Sequence, residues 1–361
     1  MTAYATLLAG DPAPWFRQRC TTALGSYTFD MAAGRHIVLF FFGSGRDDEV
    51  GDALALVRAA SPDPFDGVQA SFFGVSADPA DEAERRLAET PPAMRFFWDS
   101  DKLVGRLYGA QPLPDDPRAP HRPRWVLLDP MLRVQGVWDA YCGTVGAVIA
   151  ALRQRIAAWR ADTHRMAPVL ALDAVFEPAF CERLVTHYET VGGISSGVLT
   201  EAEVGVSATV ADRGFKRRHD CVLRDGTLVE QVQARIIRRV VPEIRKAFQF
   251  EATRLERLIV ACYDSEDRGC FGAHRDNTVR ATAHRRFAVS INLNDDFDGG
   301  ELLFPEFGSR RYRPGVGGAL VFSCSLMHAV APVVRGRRYA CLPFVFDANA
   351  GSIKQANRAV S

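Results

Sequence analysis

Four residues in the last quarter of the chain have types and spacing suited to metal chemistry. They are His274 and Asp276 in YDSEDRGCFGAHRDN, His328 in SLMHAVAPV, and Arg338 in GRRYACLPF. Two histidines and one carboxylate form the facial ligand set that holds non-haem Fe(II) and leaves coordination positions open. Arg338 follows the last ligand by ten residues. An arginine there suits a second carboxylate brought by a cosubstrate, because its planar, permanently charged fork pairs bidentately with carboxylates. The constellation points to an iron oxygenase.

Strand geometry explains the spacing. Residues two apart on a strand face the same side, so His274 and Asp276 can address one ion from a single strand end. His328 must then come from a distant strand, closing the site across a barrel. The intervening chain contains RRFAVSINLN, ELLF and GGALVFSC, strand-like runs separated by Asp-Gly-Gly and Arg-Pro-Gly turn signals. Arg337 competes with Arg338, but neighbours on a strand face opposite sides and only one can enter the barrel. Cys324, four residues before His328, would share its face on a regular strand and is expected to fill core there.

From Val169 to Asp347 the chain resembles the prolyl-hydroxylase branch of the 2-oxoglutarate and Fe(II)-dependent oxygenases. The resemblance is carried by LIVACYDSEDRGCFGAHRDN, FAVSINLNDDFDGGELLFPE and HAVAPVVRGRRYACLPFVF. It implies an α+β domain with a double-stranded β-helix (jelly-roll) core. His274, Asp276 and His328 would bind iron, Arg338 would pair with the C5 carboxylate of 2-oxoglutarate, and the Tyr263 hydroxyl would help hold that cosubstrate. Asn292 stands where relatives often carry a tyrosine, which puts the shape of the cosubstrate pocket in question. Halogenating relatives lack the carboxylate that Asp276 supplies, so its presence favours hydroxylation. The implied reaction consumes O2 and 2-oxoglutarate, releases succinate and CO2, and hydroxylates an unactivated C–H bond. A prolyl residue in a peptide is the family's leading substrate, with free amino acids or a small metabolite as competitors.

The first half reads as a different domain. HIVLFFF and ASFFGVS are buried strands. DDEVGDALALVRAA and PADEAERRLAET are helices, DKLVGRLYGA is a short helix, and WVLLDPMLRVQGVW is a hairpin. TVGAVIAALRQRIAAWR closes the unit as a long helix. Alternating strands and helices imply an α/β sheet covered by helices. This order, with GDPAPWF and DSDKLVGRLYGA, resembles the peroxiredoxin branch of the thioredoxin fold. That family places its peroxidatic cysteine near the helix start after the first buried strand, where this chain reads GSGRDDE. No cysteine lies between Cys20 and Cys142, so the nucleophile cannot be carried over. Arg124, which matches a supporting arginine of that family, becomes structural. A docking or homo-oligomerisation role is what remains for this domain.

The expected domains are therefore 1–163, thioredoxin-like and redox-inactive, and 164–361, the oxygenase. PAFCERLVTHYETV and TLVEQVQARIIRRVVPEIRKAF should be helices covering the second domain's sheet, the latter kinked or divided at Pro242. The segment 195–220 reads equally as a lid or a surface loop. Lys216, Arg217, Arg218, Arg275 and Arg286 are expected at the surface, with contact to an acidic substrate group as the competing role. With 44 Lys plus Arg against 43 Asp plus Glu in 361 residues, no global field suggests nucleic acid. The absence of a long apolar run or a signal-like start argues for a cytoplasmic chain with no membrane partner, acting on a small molecule or peptide. Its eight scattered cysteines are then reduced by default. The competing functional readings are a thiol peroxidase and a non-catalytic binding protein with a structural metal.

Overall fold

The computed structural model describes residues 3–20, 26–114, 118–139, 142–162, 164–203 and 206–358. The chain forms two compact units, Met1–Arg165 with Pro305–Gly308, and Met166–Phe304 with Ser309–Ser361. Residue 163, the expected junction, lies outside the described residues.

The first unit is built on a five-stranded sheet ordered Met94–Trp98, Ala70–Ser76, His36–Phe42, Arg124–Leu128, Val134–Trp138. The first three strands run parallel and the last two antiparallel, a thioredoxin-like arrangement. HIVLFFF and ASFFGVS are buried along their whole length, as expected for strands covered on both faces. Val50, Leu54 and Val57 of helix Asp48–Ala59 join Val148, Leu152 and Ile156 of helix Val145–Ala161 in the core with Phe40, Phe72 and Trp125. The helix expected over PADEAERRLAET is shorter, spanning Pro79–Ala83. Arg85 takes a left-handed φ of 51°, and Arg86 folds back to pair with Asp78 and Asp81, each at 2.9 Å. Arg124 is buried, bonded to Asp139 at 2.6 and 3.1 Å and to the Tyr108 carbonyl at 3.0 Å.

The second unit is a jelly roll of two antiparallel sheets. The larger runs Arg254–Glu256, Phe344–Phe346, Phe287–Asn292, Arg337–Cys341, Ile259–Asp264, His219–Val222, Ile194–Ser195, with Ala319–Ser323 also paired to Phe287–Asn292. The smaller runs Lys216–Arg217, Cys270–His274, His328–Val330, Leu302–Leu303, Arg311–Tyr312. Among the described residues the two sheets do not join into one hydrogen-bonded barrel, so the site is assembled from two separate sheets. Helices Pro178–Val191, Gly226–Arg239 and Val241–Phe248 contribute Leu184, Val232, Ile236 and Ile244 to a core with Val260, Val289 and Ile291. Pro242 sits in the first turn of the third helix, dividing the expected single helix where a proline's missing N–H does least harm.

The segment 195–220 is more regular than a surface loop. Val198–Glu203 and Val206–Val210 pair as a hairpin, with residues 204–205 outside the described residues. Lys216–Arg217 and His219–Val222 then enter the smaller and the larger sheet respectively.

Candidate metal centre

His274 ends the strand Cys270–His274, His328 begins His328–Val330, and the two are direct cross-strand partners. Asp276 follows just past the first strand, where its N–H donates to the Cys324 carbonyl at 2.9 Å. One ligand atom from each of His274, Asp276 and His328 lies within 4.8 Å of the others. The His274 Nε2 to Asp276 Oδ1 distance is 3.6 Å and the His328 Nε2 to Asp276 Oδ2 distance is 3.4 Å. Adjacent ligands about 2.1 Å from a common ion stand roughly 3 Å apart, so small side-chain movements suffice.

The imidazoles are set in the tautomer a metal needs. Nδ1 of His274 lies 2.8 Å from the Gly272 carbonyl and Nδ1 of His328 lies 3.1 Å from the Leu326 carbonyl. A carbonyl only accepts, so each Nδ1 donates and each Nε2 presents its lone pair toward Asp276. Phe271 stacks on His274 with centroids 3.6 Å apart, and Phe322 packs on His328 at 4.7 Å. Burial, with His274 beside it, pushes His328 down to about 4, keeping its ring neutral. Burial would raise the Asp276 carboxyl, but His328 and His274 outweigh it and hold it far below the usual range.

Arg338 and Tyr263 are cross-strand partners on the larger sheet. Strand alternation separates the two arginines. Arg338 is 2% exposed, whereas Arg337 faces outward and pairs with Asp264 at 2.6 Å. The Arg338 fork is held on one side only. Nε and Nη2 donate to Asn292 Oδ1 at 3.2 and 3.0 Å, and Nη2 also reaches Ser290 Oγ at 3.1 Å. Among the described residues Nη1 is buried with no hydrogen-bond partner, a state normally avoided because an unmade buried bond is costly. Asn292 is fixed in turn, donating to the Pro314 carbonyl at 2.8 Å. Gly300 in the Asp-Gly-Gly turn has φ of 68°, and a β-carbon there would stand 2.9 Å from Arg338 Cδ, so the turn leaves room for this arginine. His274, Asp276, His328, Arg338 and Tyr263 line one cavity, together with Ser290, Arg218 and Arg257.

Several sequence expectations are corrected here. Lys216, Arg218 and Arg275 are buried rather than superficial. Arg218 donates to Asp220 through Nε at 2.7 Å and Nη2 at 2.8 Å, and to the Tyr263 hydroxyl at 3.3 Å. Lys216 donates to Ser196 Oγ and the Gly197 carbonyl, both at 2.7 Å, and Arg275 donates to the Ser325 carbonyl. Arg217 and Arg286 are half-buried. Cys324 is buried but not on the His328 strand, because Ala319–Ser323 ends before it and a turn intervenes. Ser290 and Arg257 escaped the sequence reading, and Arg218 was read there only as a surface charge or a contact to an acidic substrate group. Ser290 could have been found by strand alternation, two residues before Asn292.

No family model matches the chain. Among curated proteins it is similar to PKHD-type hydroxylases. One from Nitrosomonas europaea is 31% identical over 28% of this chain and 49% of the relative. A second, from Maricaulis maris, is 32% identical over 28% and 51% respectively. The chain spans about half the length of these relatives. Solved structures similar to it include a Trichoplax adhaerens prolyl hydroxylase in complex with a hypoxia-inducible-factor peptide, at 17% identity and TM-score 0.40, covering 55% of this chain and 93% of that one. Xanthomonas campestris peroxiredoxin Q matches at 20% identity and TM-score 0.34, covering 39% and 91%.

Proposed function

We propose that the second unit is an Fe(II)- and 2-oxoglutarate-dependent hydroxylase, with His274, Asp276 and His328 as metal ligands and Arg338 as the anchor for the distal carboxylate of 2-oxoglutarate. The observation that carries this reading is the unsatisfied Nη1 of Arg338, buried in the cavity that the three ligand side chains also line. A carboxylate is the partner such a guanidinium lacks. The sequence similarity to PKHD-type hydroxylases supports the same reading.

The donor set fits Fe(II): two neutral imidazoles and one carboxylate on one side, with the other side left to exchangeable ligands. Bound iron with 2-oxoglutarate and O2 would supply the oxidising chemistry, yielding succinate and CO2 and inserting oxygen into a substrate C–H bond. The chain's own residues have narrower tasks. Gly272 and Leu326 carbonyls fix the histidine tautomers, while Asn292 and Ser290 hold the Arg338 fork in one plane. Tyr263, its hydroxyl already accepting from Arg218, closes the cosubstrate side. Phe271, Phe322 and Leu302 line the cavity with apolar surface that excludes water. Substrate candidates are a prolyl residue in a peptide, a free amino acid or a small metabolite.

The test is anaerobic binding of Fe(II), followed by measurement of succinate formation from 2-oxoglutarate. The wild-type chain should bind one Fe(II), and His274→Ala, Asp276→Ala and His328→Ala should each lose most of that affinity together with turnover. Wild-type affinity and turnover in all three variants would sink the assignment.

A further inference from the structure

Arg257 lines the cavity of the candidate metal centre but has no task in the chemistry above. It lies between the strands Arg254–Glu256 and Ile259–Asp264 with φ of 60°, in the left-handed region that residues with a β-carbon occupy only under constraint. The preceding Glu256 is committed to His284 and Arg285, both at 2.8 Å, and is not a partner of Arg257. The guanidinium lies 5.5 Å from the Phe344 ring centroid, and Phe344 lines the cavity too.

Arg257 is only weakly satisfied. Among the described residues its one polar contact is Nη2 to Asp220 Oδ2 at 3.2 Å, and Arg218 already holds both oxygens of Asp220 at 2.7 and 2.8 Å. One carboxylate therefore serves two guanidiniums. Arg218 is 4% exposed and fixed, whereas 26% of the Arg257 side chain remains exposed. Arg257 is thus the member of the pair that can still take an anion.

Charge balance points the same way. Arg218, Arg257 and Arg338 face the cavity, against Asp276 in its wall and Asp220 behind the arginine pair. Three cations against two carboxylates leave one positive charge. Fe(II) and doubly ionised 2-oxoglutarate would cancel each other and leave that surplus in place. Lys216 close by is pushed down to about 6 by burial and by Arg218, consistent with a locally positive field.

We infer that Arg257, held by Asp220 and backed by Arg218, is a specificity-determining residue that anchors a carboxylate of the primary substrate on the wall of the metal cavity. The inference rests on the hydroxylase reading. The carboxylate belongs either to a small acid or to a peptide, and the experiment separates the two.

Binding is measured by calorimetry on the full chain loaded with Fe(II) and 2-oxoglutarate without O2, so that no turnover intervenes. One arm compares N-acetyl-L-proline with its amide, and the other compares an acetylated tripeptide ending in proline with its C-terminal amide. In at least one arm the carboxylate should bind about tenfold or more tightly than the amide, the scale of one charge-assisted pair. Arg257→Gln should bring that ratio close to one while leaving Fe(II) and 2-oxoglutarate affinity unchanged. Arg257→Asn, whose side chain tolerates the left-handed backbone, should do the same if the glutamine variant folds poorly. Preference in the first arm alone assigns a small acid, and in the second alone a peptide terminus. The inference is overturned if neither arm favours the carboxylate, or if the preference survives in a folded Arg257 variant. Loss of Fe(II) or 2-oxoglutarate binding by the wild-type chain would instead overturn the hydroxylase reading beneath it.

Discussion

At the scale of single residues, the two adjacent arginines make the sharpest contrast. Arg338 is enclosed, with two nitrogens held by Asn292 and Ser290 and one left open, while Arg337 is engaged at the surface by Asp264. Arg338→Ala should weaken 2-oxoglutarate binding by about tenfold to more than a hundredfold, the equivalent of roughly 1.5 to 3 kcal/mol for a charge-assisted pair. Fe(II) affinity should change little. Arg337→Ala should leave both intact, and a cosubstrate defect confined to that variant would shift the assignment by one residue. Asn292→Ala should give a smaller loss than Arg338→Ala, because Ser290 still holds Nη2. Strand alternation made legible only that one of the two neighbours faces inward, and the choice of Arg338 over Arg337 rested on the resemblance. The role of Asn292 was not legible, since nothing in the spacing discloses that its amide oxygen braces the arginine from the neighbouring strand.

At the scale of elements, the strands that carry His274 and His328 followed from strand-like runs and turn residues, while Asp276 falls in a turn just past the first of them, where period-two spacing no longer applies. The basic run Lys216-Arg217-Arg218 misled, because three charges in sequence resemble a solvated face. Its burial depends on partners distant in the chain: the run bridges two sheets, pairing with Cys270 and Phe271 on one side while Asp220 on the next strand neutralises Arg218. The edge strand Arg254–Glu256 shows the same dependence. Glu256 accepts from His284, Arg285 and Lys354, tying the strand to the C-terminal helix Ala348–Arg358. Burial alone would raise the Glu256 carboxyl, but these bonds from Lys354, Arg285 and His284 bring it down to about 2. A carboxyl lowered on folding adds stability above its unfolded pKa of about 4.3 and loses it as pH falls through the folded value. Glu256→Gln should therefore destabilise the chain by on the order of 2 kcal/mol at neutral pH. In urea unfolding, the gap between wild type and variant should narrow as pH drops from about 4.5 toward 2. A gap independent of pH over that window would show that the cluster does not act through ionised Glu256.

At the scale of the whole molecule, the change from strand–helix alternation to a strand-rich pattern revealed two units in the sequence. The helix-rich stretch between them was assigned in the sequence to the second, and the second unit runs from Met166 through those helices. Among the described residues no helix is long and apolar enough to cross a membrane. Every residue of the metal cavity lies within Met166–Phe304 or Ser309–Ser361. We therefore expect residues 166–361, expressed alone, to bind Fe(II) and 2-oxoglutarate with affinities close to those of the full chain. Residues 1–165 should show no cysteine-dependent peroxide turnover, because the loop from Gly43 to the helix start at Asp48 carries no thiol, and Cys20 is buried where it bridges to Phe97. A helix start lowers the pKa only of a thiol placed there. Both fragments are to be tested for folding by circular dichroism, for ligand binding by calorimetry, and for peroxide consumption. Peroxide turnover abolished by Cys20→Ser, or a folded 166–361 fragment that binds neither Fe(II) nor 2-oxoglutarate, would contradict this separation of tasks. If both ligands bind but succinate formation falls below that of the full chain, the first unit contributes to productive substrate engagement and not to the metal centre.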